Sequence, residues 1–440
     1  MAKNPVETWQ TKAEVPRRIR DESVAKVQPP LSGIPDPLPL NCQGLPKLVL
    51  TPRELELTES YSVEQLLAQL RSRKLSSEEL TRAFLRRAAL AHVVTNCLTE
   101  LLWDDAIERA RYLDSLPEPI GPLHGLPISI KEHQGTLGKN KTSNASYVSY
   151  IGKPQGSTLL CDILWDAGCV HFARTTQPQA IMHLETESNI YGRTVNPYNR
   201  DVTPGGSSGG ESALLGIRGS LFGVGGDIGG SIRVPAAHCG VYGFKPSAQR
   251  LPIAGGTGHM FGRECILATN APITADRDSL ELFMRVVVDA QPWRLEPSVR
   301  YQHWVPYKFT KPLKVAIQWW DGVVKPHPPM LRALREVADA CKKAGIKEII
   351  SGLFYSDGIK EVLRLIRDTD KLLLLLIKFI TKEQPNIKEY IGYTTIWNLL
   401  NYSRAIFLVT TINPENNIKD TSYKLYNIED QFIYKLYNTE

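Results

Sequence analysis

Two glycine- and serine-rich segments stand close together near the middle of the chain. The first reads Thr203-Pro-Gly-Gly-Ser-Ser-Gly-Gly-Glu211 and the second reads Gly226-Asp-Ile-Gly-Gly-Ser-Ile-Arg233. Glycine lacks the Cβ atom that would hinder a ligand from approaching the backbone, and successive glycines can aim their N–H groups at an anion. A flexible linker is disfavoured because apolar residues at 213–215 and 221–224 lie between the two segments. The pattern therefore predicts serine hydroxyls presented beside exposed backbone donors.

Two other kinds of site fit these segments less well. A phosphate-binding loop needs Gly-Lys followed by Ser or Thr, and neither segment supplies it. The nucleophile-elbow pattern Gly-x-Ser-x-Gly is matched in two registers, centred on Ser207 and Ser208, but such a match arises easily in glycine- and serine-rich sequence. An elbow also needs a downstream acid and histidine, and nothing after His259 offers a distinctive base. A Ser-His hydrolase that uses Ser208 stays open as an alternative.

A lysine closes a short apolar segment upstream of the serines. Residues 121–132 read Gly-Pro-Leu-His-Gly-Leu-Pro-Ile-Ser-Ile-Lys-Glu, which predicts a strand that delivers Lys131 at its end. A lysine taken alone at a strand end is usually solvated. Among small residues, however, a desolvated amine loses its proton more easily, and the neutral amine can act as a base toward a serine hydroxyl.

The three segments, in this order and spacing, resemble the amidase signature family, whose catalytic set is Ser-(cis-Ser)-Lys. Four further segments are similar to the fungal acetamidase or general amidase branch, namely residues 175–179, 182–186, 191–197 and 244–246. The resemblance implies that Ser231 is the nucleophile and that Lys131 is the base. It also implies that Ser207 bridges them, after a cis peptide bond at Gly206. The implied reaction is hydrolysis of a carboxamide to acid and ammonia or amine through an acyl-enzyme, with no metal and no cofactor.

The surroundings of the nucleophile receive roles from the same resemblance. The candidate oxyanion donors are the backbone N–H groups of Ile228, Gly229, Gly230 and Ser231. Asp227 and Arg233 bracket this loop, and we expect an ion pair or backbone hydrogen bonds to hold its shape. Ile181 follows a turn and could line the acyl pocket together with Met182.

Composition narrows the class of protein. The chain has 440 residues, of which 42% are hydrophobic, and a net charge of +6 from scattered basic residues, so we expect no nucleic-acid partner. Seven cysteines without a Cys-x-x-Cys pair indicate free thiols. The first residues lack an apolar signal core, and the apolar run 372–377 is too short to span a bilayer. These features predict a cytoplasmic enzyme with no transmembrane segment, a small-molecule amide substrate and, as an option, a homodimer.

Alternating elements predict an α/β fold, which the resemblance specifies as the amidase signature fold with a mixed β-sheet covered by α-helices on both faces. We expect an extended arm over 1–60, a core over 61–346 and a divergent, incomplete part over 347–440. The predicted strands are 126–131, 169–173, 221–225, 241–244 and 313–318. The predicted helices are 157–167, 209–219, 276–290, 328–344 and a segment 62–92 that a capping box at Ser76 divides in two.

Several departures from the family pattern raise a second hypothesis. The resemblance implies that a helix and a strand are missing between Tyr390 and Ile391, and we expect the closing strand of the family to be absent before Glu440. Gly226 stands where relatives usually carry Thr or Ser, and residues 270–272 (Asn-Ala-Pro) replace an expected Gly-Pro turn. The alternative is therefore a catalytically impaired or dead amidase-like protein. A role as a subunit also stays open, because the A subunit of glutamyl-tRNA amidotransferase shares the three loops.

Overall fold

The computed structural model describes residues 8–135, 143–258, 262, 266–306, 314–319, 326, 328–346, 348–352 and 404–406. The chain divides into two compact units. The first comprises residues 1–304 with 394–407, and the second comprises residues 305–393 with 408–440. Residues 1–60 and 61–304 therefore lie in the same unit.

The N-terminal region is helical over much of its length. It contains α1 (Trp9–Ala25), α2 (Pro46–Val49) and α3 (Pro52–Glu59), so the prediction of an extended arm over 1–60 is wrong except between α1 and α2. Thr8 caps α1 by accepting from the N–H of Thr11. The Arg17 guanidinium bonds to the carbonyls of Asn189 and Ile190 and ties α1 to the core. Helix α1 was not predicted, because a proline such as Pro16 is unfavourable inside a helix.

Seven further helices build the first unit. They are α4 (Val63–Arg71), α5 (Ser77–Thr95), α6 (Trp103–Ser115), α7 (Leu159–Asp166), α8 (Gly209–Gly216), α9 (Arg233–Cys239) and α10 (Arg277–Asp289). The predicted division at Ser76 is confirmed, since its hydroxyl accepts from the N–H of Glu79 at 3.1 Å. The carboxylate of Glu79 bonds to Arg53.

The strands are β1 (Leu98–Leu101), β2 (Pro127–Lys131), β3 (Val170–Thr175), β4 (Glu187–Ser188), β5 (Gly192–Arg193), β6 (Phe222–Asp227), β7 (Tyr242–Lys245), β8 (Thr269–Thr274), β9 (Lys314–Gln318), β10 (Glu348–Gly352) and β11 (Arg404–Ile406). Seven of them form one sheet in the order β1-β3-β2-β6-β8-β7-β11. β2 is parallel to β3 and β6, and the other pairs are antiparallel. The predicted mixed sheet is confirmed.

One local prediction within the sheet is wrong. Residues 270–272 form no turn but lie in β8, where Pro272 is opposite Val224 of β6. A proline has no N–H to donate to a ladder, so its presence argued against a central strand. β1 and α6 were not predicted at all, although β1 pairs with β3 at the edge of the sheet.

Strand β2 brings the predicted lysine to the middle of the sheet. All five of its residues are buried. Side chains alternate between the two faces of a strand, so Ser129 and Lys131 share a face while Ile128 and Ile130 share the other. Ser129 bonds to Glu211 in α8, and Lys131 bonds to the serines that precede α8. The polar face of β2 therefore points toward the start of α8.

The second unit contains one β-α-β element among its described residues. β9 and β10 are parallel, and α11 (Pro328–Lys343) lies between them in the chain. The predicted strand 313–318 and helix 328–344 are confirmed. In the described part of the chain, none of the helices has the length and apolar character needed to cross a bilayer.

Candidate active site

The Lys131 amine lies at the end of β2 without exposure to solvent. Its Nζ atom is 2.6 Å from Ser207 Oγ and 3.0 Å from Ser208 Oγ. Burial lowers the pKa of the amine to about 7, although the negative charges of Asp227 and Glu211 act to raise it. Near neutral pH, a substantial fraction of this lysine is therefore uncharged and able to accept a proton.

Ser207 follows a cis peptide bond after Gly206, as the resemblance implied. A Cβ atom on Gly206 would lie 2.5 Å from the carbonyl oxygen of His183, so a residue with a side chain could not sit there without moving the backbone. Ser207 is buried, and its hydroxyl faces the Lys131 amine. The sequence segment around 203–211 therefore places a hydroxyl against a buried base.

Ser231 lies in the loop between β6 and α9. Asp227 and Arg233 form a two-point ion pair across this loop, with nitrogen–oxygen distances of 3.0 and 2.9 Å. The Asp227 carboxylate also accepts from the N–H groups of Gly230 and Ile232. Although burial acts to raise its pKa, these contacts lower the pKa of Asp227 below its ordinary value. The expected ion pair is therefore present, and it holds the loop in shape.

The backbone N–H groups expected to bind the oxyanion have different surroundings. The Gly230 N–H donates to Asp227 Oδ1 at 2.9 Å, so this amide supports the loop and does not serve as an oxyanion donor. Ile228 lies on the wall of the cavity described below. Nothing lies within 4 Å of the position that a Cβ atom would take on Gly229. The carbonyl of Ser231 accepts from the N–H of Ser208 at 3.1 Å and joins the two serine loops.

A cavity of about 190 Å³ gathers most of the predicted residues. Lys131, Ser207 and Ser231 all line it, and so do Ile181 and Met182. Ile181 has φ +58°, an unusual conformation for a β-branched residue that places it beside the site. The described cavity wall does not include four of the predicted residues, namely Gly206, Gly229, Gly230 and Arg233. Five polar residues on the wall were not predicted as site residues: His133, Gln134, Thr257, Thr269 and Asn270.

Comparison with known proteins decides the family. A family model described as Amidase matches residues 79–364. A putative amidase of Schizosaccharomyces pombe is 37% identical over 460 aligned residues, covering 89% of this chain and 86% of that protein. The chain belongs to the amidase family. The acetamidase of Emericella nidulans is 38% identical to this amidase, over 80% of this chain and 68% of the other.

The structural comparison agrees with this assignment. Fatty acid amide hydrolase superimposes on this amidase with a TM-score of 0.81 at 29% identity, covering 99% of this chain and 91% of that one. This amidase is therefore a hydrolase that acts on amide bonds, with the predicted fold.

The alignment with the Schizosaccharomyces pombe relative also bears on the predicted internal deletion. Its 460 positions exceed the 440 residues of this amidase, so it includes positions where this chain has no residue. That agrees with the expected deletion, although its predicted place between Tyr390 and Ile391 lies outside the described residues.

A row of polar side chains runs along the cavity of this amidase. His133 Nδ1 lies 2.8 Å from Gln177 Oε1, Gln134 Nε2 lies 3.1 Å from His133 Nε2, and Gln134 Nε2 donates to Asn270 Oδ1 at 2.6 Å. Burial, followed by the nearby Lys131 charge, lowers the pKa of His133 to about 3, so the imidazole is neutral. His133 and Gln134 come two and three positions after Lys131 in the sequence, which was the available signal, but their partners Gln177 and Asn270 come from distant segments.

Glu211 is a buried acid that was not predicted to be a site residue. Its carboxylate accepts hydrogen bonds from the hydroxyls of Ser129 in β2 and Thr175 in β3. Burial raises the pKa of Glu211 to about 7, against the lowering effect of these hydrogen bonds and of the Lys131 charge. An acid in the first turn of a helix is usually solvated. Here three strands enclose it, because Gly223 of β6 packs against the carboxylate.

Ser208 has partners that do not suit a Ser-His pair. Its hydroxyl contacts Lys131 Nζ, the Gly226 carbonyl and the Gly226 N–H. Among the described residues, no histidine lies within hydrogen-bond distance of this hydroxyl, and Ser208 is outside the cavity wall. His259 lies outside the described residues. The geometry therefore favours Lys131 as the base for this group of serines.

Proposed function

We propose that this amidase hydrolyses a small, uncharged carboxamide through an acyl-enzyme on Ser231, with Ser207 as the proton relay and Lys131 as the base. The observation that carries the proposal is the contact of the fully buried Lys131 amine with Ser207 Oγ at 2.6 Å, on the wall of a cavity that Ser231 also lines. A base that titrates near neutral pH suits proton transfer at that pH.

The proton transfers follow from this arrangement. Neutral Lys131 accepts the proton of Ser207, while Ser207 takes the proton of Ser231, whose Oγ attacks the carbonyl carbon. The proton then returns along the same path to the leaving nitrogen, and the amine or ammonia departs. Water hydrolyses the ester to Ser231 and releases the acid. The family resemblance makes the backbone N–H groups of Ile228, Gly229 and Ser231 the proposed donors to the oxyanion. The Gly230 N–H is left out because it donates to Asp227.

The cavity supports a substrate that is short and uncharged. Its volume of about 190 Å³ matches roughly six water molecules at about 30 Å³ each. In the described wall, the charged side chains are Lys131 and Asp227, and Arg233 neutralises Asp227. Apolar contacts come from Ile181 and Ile253. The Emericella nidulans relative is named acetamidase, which supports a short acyl group.

The thiols bear on the proposed compartment. The six described cysteines form no disulfide, and five of them are buried. Free, buried thiols suit a reducing compartment, and we propose a cytoplasmic location on this ground.

Fluorophosphonate labelling and ammonia release test the proposal together. We expect wild type to take one label on the peptide that contains Ser231 and to release ammonia from acetamide or another small amide. Ser231→Ala should lose the label and lower turnover by about 10³-fold or more. Ser212→Ala is the matched control, because Ser212 is equally buried and its hydroxyl has no partner among the described residues. A folded wild type that takes no label and releases no ammonia would instead support the catalytically dead alternative.

A further inference from the structure

The polar row beside the cavity has a fixed direction, set at one end by Glu132. The Glu132 carboxylate can only accept, and it takes a hydrogen bond from Gln177 Nε2 at 2.8 Å. The other atom of that amide, Gln177 Oε1, must then accept from His133 Nδ1. His133 is neutral, so its second nitrogen, Nε2, carries no proton and is an acceptor.

The direction continues to the far end of the row. Gln134 Nε2 has two protons, and it donates to His133 Nε2 at 3.1 Å and to Asn270 Oδ1 at 2.6 Å. Asn270 Nδ2 then donates to the carbonyl oxygen of Pro252 at 3.1 Å. The Pro252 carbonyl can only accept a hydrogen bond, as can the Glu132 carboxylate at the other end of the row. Rotating the Gln134 amide by 180° would set its oxygen against two acceptors, so its orientation is determined.

This arrangement leaves one atom without a partner. Gln134 Oε1 is buried and accepts no hydrogen bond from the described residues, although Gln134 is only 1% exposed and lines the cavity. The amide of Gln134 lies beside Gly226, where a Cβ atom would be 3.5 Å from Gln134 Nε2. A buried carbonyl oxygen without a donor is unfavourable, and a ligand N–H in the cavity would remove that cost.

We propose that Gln134 Oε1 accepts a hydrogen bond from the N–H group of the carboxamide being cleaved, which makes Gln134 a substrate-binding residue that selects amides over esters. The inference rests on the proposed function, because it needs an amide in the cavity that Ser231 lines. An ester of the same acid has no N–H at the reacting group and leaves Gln134 Oε1 unpaired. A site that binds a donor in this way discriminates against the analogue that lacks it.

A neighbouring glutamine offers a matched control. Gln155 Oε1 is also buried without a partner among the described residues. Gln155 Nε2 donates to the carbonyls of His133 and Gly255, both at 3.2 Å. Gln155 is not part of the described cavity wall. It therefore has the same chemistry as Gln134 in the same region, without access to the substrate.

The experiment compares kcat/KM for an amide and for the methyl ester of the same acid. The pair is acetamide and methyl acetate, or the best amide of a panel with its methyl ester. We expect Gln134→Met to lower kcat/KM for the amide about three- to tenfold, the loss of one neutral hydrogen bond, and to leave the ester value unchanged. Gln155→Met should leave kcat/KM unchanged for both the amide and the ester. Fluorophosphonate has no N–H, so an unchanged labelling rate would show that the Gln134→Met site is intact.

The outcomes separate this inference from the proposed function. An active wild type whose Gln134→Met variant loses amide and ester turnover equally, or loses neither, overturns the role of Gln134. A wild type that hydrolyses no amide overturns the proposed function and this inference with it. If Gln134→Met does not fold, Gly226→Ser replaces it, since a Cβ there makes only ordinary contacts. A hydroxyl on that Cβ would lie beside Asn270 Oδ1 and His133 Nε2, the two acceptors that orient the Gln134 amide. By donating to either of them it would disturb the orientation of Gln134 Oε1 and lower the amide-to-ester ratio in the same way.

Discussion

Two fully buried carboxylates flank Lys131, and they are held in opposite ways. Asp227 on the nucleophile loop accepts from the Arg233 guanidinium and from two backbone N–H groups. Glu211 on α8 accepts, within the part of the chain that the structure describes, only from the hydroxyls of Ser129 and Thr175. Both are buried, yet the pKa of Asp227 is below its ordinary value, while the pKa of Glu211 is raised to about 7.

The difference shows that burial alone does not decide the charge of an acid in this site. A guanidinium and two amides keep Asp227 ionised, and its role is to fix the shape of the loop. Two hydroxyls are not sufficient to keep Glu211 fully ionised at neutral pH, since its pKa is about 7. Since both carboxylates raise the pKa of Lys131, the protonation of Glu211 adjusts the strength of the base, whereas Asp227 supplies a constant charge.

Removing the guanidinium should have the largest effect. Arg233→Met leaves the Asp227 carboxylate buried without its ion pair, and we expect the free energy of unfolding to fall by about 3–5 kcal/mol. Urea denaturation at pH 7 measures the change. Arg277→Met is the control, because Arg277 pairs with Asp278 at an exposed position, where solvent screening leaves the pair with little effect on stability. Equal losses in the two variants would show that the Asp227 pair contributes no more than a surface pair.

The pH dependence of stability should distinguish the two carboxylates. The folded pKa of Glu211 is above its unfolded value of 4.5, so its contribution is present below pH 4.5 and is lost as the pH rises through about 7. Between pH 5 and 7, wild type should therefore lose roughly 1–3 kcal/mol more stability than Glu211→Gln. Asp227 acts in the opposite sense and only below about pH 3.8, where its stabilisation is lost on acidification.

The measurement is a series of urea melts of wild type and Glu211→Gln at half-unit pH intervals. The titration of Lys131 does not obscure the change in stability between pH 5 and 7, since its lowered pKa makes stability rise only above about pH 7. Parallel curves for the two proteins would show that Glu211 is ionised in the folded state throughout.

Activity should report the same coupling with a smaller change. The kcat/KM of wild type should rise with pH through about 7, as Lys131 loses its proton. Glu211→Gln removes a negative charge near the amine, so we expect the midpoint to move to lower pH by roughly half a unit to one unit. Steady-state kinetics between pH 5 and 9 measure the shift. A loss of activity with an unmoved midpoint would mean that Glu211 acts through structure alone.

The smallest effect should come from one hydroxyl. Thr175→Val keeps the Glu211 carboxyl but removes a donor at 2.6 Å, which raises the pKa of Glu211 further. The midpoint of the rise in kcat/KM with pH should then move to lower pH, as in Glu211→Gln, but by less than about half a pH unit. Thr176→Val is the matched control, since that hydroxyl bonds to Cys97 and Thr194 instead. A larger shift in Thr176→Val than in Thr175→Val would contradict the comparison.

Much of the fold could be predicted because its elements have local signals. The apolar run before Lys131 ended where β2 ends, and the glycine-serine segment preceded α8 as expected. β8 could not be predicted, because Pro272 signals a turn and only pairing with β6 and β7 makes it a strand. Helix α1 was missed for the same reason, since distant carbonyls at Asn189 and Ile190 hold it in place.

The candidate site divides in the same way. Lys131, Ser207 and Ser231 stand in distinctive short motifs, and their placement in one cavity agrees with the prediction. Gln134 lies outside the quoted motifs, and Glu211 ends one of them without a local sign of its role. Their properties arise from burial and from partners on other segments, and neither can be read from neighbouring residues.

The central position of β2 has a consequence for how this enzyme loses activity on heating. The strand lies between β3 and β6, and every one of its residues is buried. Amides in such a strand exchange with solvent only through openings close in free energy to complete unfolding. The base at its end therefore has no low-energy route to exposure, and thermal inactivation should coincide with cooperative melting instead of preceding it.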